Sequence, residues 1–116
     1  MISFSSFQKL ALSFPETTEE PHFEKISFRV KKKIFATYDA KNTRACIKLS
    51  PANQDIFSSA DKTIIYSLAN KWGQQGWTMV EMKKISKDLF TAALTMAYCE
   101  VAPKKLAELV RPKDNE

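Results

Sequence analysis

The side chains that most often carry metal or covalent chemistry are few and far apart in this 116-residue chain. His22 is the single histidine, and Cys46 and Cys99 lie in different segments without the Cys-x-x-Cys spacing of a zinc or redox site. The chain also lacks the Gly-x-Gly-x-x-Gly, P-loop and Gly-x-Ser-x-Gly motifs of nucleotide-binding proteins and serine hydrolases. We therefore expect no metal, no cofactor and no catalytic residue, in a protein that is not an enzyme.

Basic residues are the charged groups that are concentrated in one part of the sequence. The net charge is +5, and residues 21–50 alone hold eight basic and two acidic residues. Fifteen of the eighteen basic residues are lysines, which bind phosphate as point charges, whereas guanine edges are contacted mainly by arginine. This composition favours contacts with the phosphate backbone of DNA. A lysine run at a turn is also typical of a solvated, protected sheet edge, and that alternative stays open.

Both glycines of the chain lie between its two tryptophans, in the segment Asn70-Lys71-Trp72-Gly73-Gln74-Gln75-Gly76-Trp77. This spacing predicts a backbone that needs positive φ or the close approach of another group. One interpretation is a tight turn into a strand whose Trp77 anchors the core. The other is a projecting loop that presents Lys71 and Trp72, because an indole beside an ammonium group suits stacking and phosphate contact.

The period of the apolar residues predicts four helices that frame these groups. The first spans residues 4–14 and ends at Pro15, and the second runs from Ser50, as N-cap, to about residue 59. The third begins after Ser86, and the last opens at Pro103. The predicted buried side of the second helix is Ile56, Phe57 and Ala60.

Strict alternation predicts a hairpin from residues 25–30 and 34–38. With Lys31 and Lys32 as its loop, Phe28 faces Phe35 across the strands. A polar connection of residues 16–21 precedes the hairpin. Further strands are predicted at residues 44–49 and 77–82, and residues 63–68 fit either a short strand or an extended loop.

These elements predict an α+β fold of two layers, an antiparallel sheet with helices on one face, in the order α-β-β-β-α-β-β-α-α. The fold occupies one domain over residues 1–116, with a loose tail from residue 112. The other face of the sheet stays partly open. Because they alternate with core residues, four basic side chains should emerge together on it: Lys25, Arg29, Arg44 and Lys48.

Several segments carry a family resemblance. The chain resembles the bacterial MmcQ/YjbR-like proteins in three places. These are Asn70-Lys71 followed by Trp77-Thr78, the stretch from Phe14 to Phe23 running into residues 26–30, and the stretch from Ala97 to Lys105. The resemblance implies a compact α+β fold related to secretion chaperones, with two projecting hairpin-like wings from which DNA binding has been proposed. The chain departs from that pattern at the first wing, where Lys31-Lys32-Lys33 replaces the usual glycine.

Two functional hypotheses follow. The first is a non-enzymatic DNA-binding module with weak sequence selectivity, whose two wings straddle the duplex while the basic sheet face contacts phosphates. The predicted DNA-binding residues are Lys25, Arg29, Lys31, Lys32, Lys33, Arg44, Lys48, Lys71 and Trp72. The alternative is a chaperone-like protein-interaction module that binds a partner segment on the open sheet face, with Trp72, Tyr38 and Tyr66 as contacts. We expect a cytoplasmic monomer with no membrane partner.

Overall fold

Five helices and six strands follow one another along residues 2–111, the part of the chain that the computed structural model describes. The helices are α1 (Phe4–Ser13), α2 (Pro51–Ser58), α3 (Lys71–Gln74), α4 (Lys87–Val101) and α5 (Lys104–Val110). The strands are β1 (Thr17–His22), β2 (Lys25–Val30), β3 (Lys33–Asp39), β4 (Arg44–Lys48), β5 (Ile65–Ser67) and β6 (Trp77–Glu81). Within these residues no helix is both long and apolar enough to cross a bilayer. The predicted tail, residues 112–116, lies outside the described part.

All six strands form one antiparallel sheet in the order β1-β2-β3-β4-β6-β5. Helix α4 packs over β3 and β4, and α1 packs against β1. Burial alternates accordingly along β4, where Ala45 and Ile47 are buried while Arg44, Cys46 and Lys48 are half-buried. The predicted α+β class and the single helical layer on an antiparallel sheet are confirmed.

The segment interpreted as a polar connection, residues 16–21, forms most of β1 at one edge of the sheet. Thr17 faces the helical layer, where its Oγ1 lies 3.0 Å from the carbonyl oxygens of both Ala11 and Phe14. The strand has no buried residue, so it lacks the apolar alternation by which strands are recognised. Its two glutamates and Pro21 suit a free edge, because charge and a missing N–H discourage pairing with another chain.

The hairpin of β2 and β3 turns on Lys31 and Lys32, as predicted. Both residues have positive φ, +50° and +70°, which is the backbone of a two-residue type I′ turn. The predicted pairing of Phe28 with Phe35 is wrong, because a bulge shifts the register and places Ala36 opposite Phe28. A bulge sets two residues of one strand against one of the other, so Phe35 and Ala36 are both buried.

Aromatic rings from the sheet and the helices form the centre of the core. The ring of Phe28 lies 5.0 Å from that of Phe7 on α1, and the ring of Phe35 lies 5.5 Å from that of Tyr98 on α4. The Tyr98 hydroxyl donates to the carbonyl oxygen of Pro15 at 2.7 Å. Every buried side-chain nitrogen and oxygen in residues 2–111 has a hydrogen-bond partner. The aromatic layer therefore excludes water without leaving a buried polar group unpaired.

The predicted second helix is confirmed as α2, with Ser50 at its N-cap, and its predicted buried side is confirmed only at Phe57, which packs against the core. Ile56 is 65% exposed and Ala60 is exposed as well. An amide adds a second anchor, since Gln54 Nε2 lies 3.0 Å from the carbonyl oxygen of Gly73. A polar anchor of this kind leaves no apolar stripe in the sequence.

The two glycines permit close backbone contacts, as their spacing predicted. A Cβ on Gly73 would lie 1.9 Å from the carbonyl oxygen of Leu68, and one on Gly76 would lie 1.7 Å from that of Leu49. Gly76 also has φ +105°, a conformation that L-residues rarely adopt. These contacts seat the segment between the tryptophans tightly on the end of the sheet.

Replacement of Gly76 by alanine should lower the free energy of unfolding by about 1–3 kcal/mol or more, because both the backbone angle and the contact with Leu49 become unfavourable. Urea denaturation followed by circular dichroism measures the change. Gln75→Ala is the matched control, since Gln75 is exposed and has negative φ. Equal stability of the two variants would contradict this account of the segment.

Candidate functional site on the open sheet face

The sheet face that the helices leave uncovered, here called the open face, receives alternate side chains from neighbouring strands. Cross-strand pairs define it, since Thr37 pairs with both Ser27 and Cys46, and Cys46 pairs with Met79. The same alternation assigns four of the predicted phosphate-binding residues to this face by strand position, although the ammonium group of Lys48 reaches Glu100 on α4. They are Lys25, Arg29, Arg44 and Lys48.

Acidic groups partner two of these four side chains. Arg44 Nε lies 2.9 Å from Glu81 Oε2, and the same carboxylate oxygen accepts a hydrogen bond from the Tyr66 hydroxyl. Lys48 Nζ lies 3.9 Å from Glu100 Oε2 on α4, so its charge is shared with the helical layer. Much of the cationic character that the sequence suggests is thus neutralised locally.

The lysine turn is partly neutralised too. Lys31 forms an ion pair with Glu16, at the start of β1. Arg29 Nε donates to the Ser27 hydroxyl at 2.9 Å, which holds the guanidinium along its own strand. Three of the eight basic residues in the predicted set thus have an acidic partner, namely Lys31, Arg44 and Lys48. The set includes the lysine turn at one end of β2 and further charges on or beside the open face.

Between these charges lies an apolar cleft of about 310 Å³, here called the open-face groove. Strands β3, β4 and β6 supply its floor, and the segment before β6 supplies one wall. Among the residues that the structure describes, no acidic side chain lines it. Its lining residues are His22, Lys25, Ile34, Thr37, Cys46, Leu68, Trp72, Trp77 and Met79.

The wall of the groove is the segment predicted as a possible second wing. Residues 71–74 form the one-turn helix α3 rather than a projecting hairpin, and the Asn70 Oδ1 accepts a hydrogen bond from the Trp72 amide at 3.0 Å. Trp72 lines the groove and is 49% exposed, whereas Lys71 lies exposed at the start of the helix. The structure thus gives Trp72 a place at an apolar site and leaves Lys71 in solvent.

Sequence reasoning missed much of the groove. Trp77, interpreted as a possible core anchor, is half-buried on the open face, while its neighbour Thr78 is fully buried on the other. Tyr38, predicted as a contact on the open face, is a core residue with 9% exposure. The available signal was the alternation itself, which assigns four unpredicted lining residues to this side or its rim: Ile34, Cys46, Leu68 and Met79.

The thiol on the groove floor is a weak acid. Burial raises the pKa of Cys46 from an ordinary 9.0 to about 11, against a smaller opposing effect of the Lys25 charge. Burial also raises the pKa of Cys99, which lies in the helical layer. Among residues 2–111 no three histidine, cysteine or acidic side chains gather as metal ligands. At neutral pH the groove is therefore lined by an uncharged thiol rather than by a nucleophile.

Cys46 should react with Ellman's reagent about ten- to a hundredfold more slowly than an ordinary thiol at pH 8, because so little thiolate is present. The rate should keep rising as the pH passes 9 and level off only near 11, since the neutral form persists until the folded-state pKa is reached. A Cys99→Ser variant isolates the signal, and the same protein in urea supplies the reference rate. A plateau below pH 9 would show that the thiol is not desolvated.

Comparison with known proteins agrees with this architecture. A solved structure, the crystal structure of Deinococcus radiodurans protein DR2400 with its DUF419 domain, matches with a TM-score of 0.77. The match covers 100% of this chain and 93% of that chain at 18% sequence identity, which supports the fold. No curated protein matches this chain in sequence. The model of the YjbR family matches residues 12–100, most of the chain, and the protein therefore belongs to the YjbR family.

Proposed function

We propose that this domain is a protein-interaction module that binds an extended segment of a partner in the open-face groove. The observation that carries the proposal is an apolar cleft on the sheet face that α1 and α4 leave uncovered, lined by two tryptophans and, within residues 2–111, by no acidic residue. Tryptophans in a partly desolvated cleft are the side chains that most often dominate binding energy at protein interfaces. The resemblance to MmcQ/YjbR-like proteins, which implies a fold related to secretion chaperones, points the same way.

The edges of the sheet favour docking through side chains rather than strand addition. Strand β1 presents Pro21 and two glutamates at its free edge, and β5 at the other edge has three residues. Short, charged or proline-containing edges pair poorly with an incoming strand. A partner segment would therefore lie across the face, with large apolar side chains over Trp77 and Met79.

Charge selects among apolar segments. Lys25 lines one end of the groove, and within residues 2–111 no carboxylate lines it, while Asp39 lies near Lys25 outside the lining. A partner segment with an acidic residue next to an aromatic or aliphatic one would match the site, because the carboxylate can meet Lys25 while the apolar side chain enters the groove. Such complementarity affects the choice of partner and the rate of association more than the affinity.

Random peptides of about ten residues, displayed on phage and selected on the wild-type protein, test the proposal. Selected peptides should carry apolar and acidic residues, and their binding should change tryptophan fluorescence. Met79→Asp should weaken that binding at least about tenfold, because it buries a charge on the groove floor.

The matched control is Leu109→Asp, which makes the same kind of change at a residue that is 70% exposed on α5 and does not line the groove. Its affinity should stay within about twofold of wild type. Peptides that bind both variants equally well, or a selection that yields no binder, would refute docking in the groove.

The lysine turn favours DNA as a second candidate partner. Lys32 and Lys33 are exposed and have no ion pair with the described residues. Lys32 lies in the type I′ turn, and Lys33 is the first residue of β3 beside it. Arg29 lies in β2, two residues before the turn, and pairs across the strands with Ile34 of β3. The remaining members of the predicted DNA-binding set are Lys25, Lys31, Arg44, Lys48, Lys71 and Trp72.

If DNA binds here through four to six phosphates, the logarithm of the association constant should fall with the logarithm of salt concentration with a slope of about −4 to −5. Replacing Lys31, Lys32 and Lys33 by alanine should flatten the slope by about two, because Lys31 already pairs with Glu16. Fluorescence anisotropy with a duplex of about 20 base pairs measures it.

The control for the DNA experiment replaces three other exposed lysines, Lys83, Lys84 and Lys87, by alanine. This variant loses the same charge at a different place, so its slope should remain near that of wild type. Equal flattening in the two variants would show that total charge, not the turn, attracts DNA. An affinity that does not depend on salt would exclude phosphate contacts.

A further inference from the structure

The tip of the β1–β2 hairpin exposes an aromatic ring at a strained position. Phe23 is 93% exposed, and its ring contacts that of His22 edge-on, with 4.8 Å between centroids. It is the first residue of a two-residue turn and has φ +59°, a conformation that such turns usually give to glycine. A bulky side chain here costs stability and exposes apolar area. Neither effect is offset by burial within residues 2–111.

The same tip adjoins the open-face groove. His22 and Lys25, which flank the turn on either side, both line the groove. Glu24, the second turn residue, is exposed and has no ion pair with the described residues. One short segment thus brings together an unburied aromatic ring, an unpaired carboxylate, a lysine and the mouth of an apolar cleft.

The tip and the groove can complement each other in two copies related by two-fold symmetry, Phe23 with the groove and Glu24 with Lys25. In a symmetric dimer, residue i of one copy contacts residue j of the other, and j contacts i. With a two-fold axis at the crossing tips, the ring of each Phe23 would be placed to enter the other groove, and each Glu24 to meet the other Lys25. Within residues 2–111 the groove lining holds no acidic residue, and Lys25 at its basic end faces Asp39 as well as the incoming carboxylate.

We propose that a second copy of this chain docks here, each hairpin tip inserting Phe23 into the open-face groove of the other. The association replaces the expectation of a monomer. It uses the same groove as the proposed function but needs no partner, so self-association and partner binding exclude each other. The contact is small and belongs with weak, concentration-dependent interfaces.

Sedimentation equilibrium over about a hundredfold range of concentration tests the proposal. The weight-average mass of wild type should rise from 13.2 kDa towards twice that value. Phe23→Ser should stay monomeric, because the ring that enters the groove is gone. A wild type that remains monomeric throughout, or a Phe23→Ser variant that associates like wild type, would overturn the proposal.

Charge exchange gives a second test that does not depend on the ring. Glu24→Lys alone and Lys25→Glu alone each place like charges at both contacts, so each variant should be monomeric. An equimolar mixture of the two places opposite charges at both contacts and should associate as wild type does. Far-ultraviolet circular dichroism checks that both variants fold. Failure of the mixture to associate would show that Glu24 and Lys25 do not meet.

The control exchanges a similar pair on α5, with Lys105→Glu and Glu108→Lys, both at exposed positions. Neither change should alter self-association. Because these measurements contain no peptide, their failure leaves the proposed function untouched. Conversely, peptide binding by the monomeric Phe23→Ser variant would support the groove as a docking site even if the dimer were absent.

Discussion

One-sided coverage of the sheet is the constraint on which the rest of this structure depends. An antiparallel sheet with a single helical layer buries alternate residues and must expose the others. The helices fill the covered side with aromatic rings such as Phe7, Phe90 and Tyr98. Within residues 2–111, α1 and α4 leave the other side open, and strand alternation places Thr37, Cys46 and Met79 there. The groove is therefore a direct consequence of the layer architecture rather than an added feature.

Elements with a strong apolar period could be predicted from the sequence, and those without one could not. Helices α1 and α4 bury residues at steps of three and four, and β4 alternates cleanly, so all three were found. Strand β1 buries nothing and α3 has a single turn, so neither has a period to detect. The bulge at Phe28 is likewise invisible, because it depends on how two strands fit the helical layer rather than on either strand alone.

Charge was harder to interpret than apolarity, because ion pairs join segments that are distant in sequence. The excess of lysine and arginine in residues 21–50 is real, but the acids that meet it come from elsewhere. Glu16, Glu81 and Glu100 belong to three other parts of the chain and partner Lys31, Arg44 and Lys48. Composition gives the number of charges, whereas topology decides which of them are left to attract a ligand.

The chain has only two glycines, and both are used beside the groove rather than in the two hairpin turns that flank β2. Both glycines stand where a side chain would collide with Leu49 or Leu68, and so they hold the tryptophan wall in place. None remains for the turns at the two ends of β2. Those turns set Phe23 at one end and Lys31 with Lys32 at the other in left-handed conformations that glycine adopts more easily. Such strain persists only where the surrounding structure holds it. Each tip also carries an exposed group unlike the other, which is why the partners proposed for them differ: an apolar cleft for the phenylalanine tip, and anionic surfaces for the lysine tip.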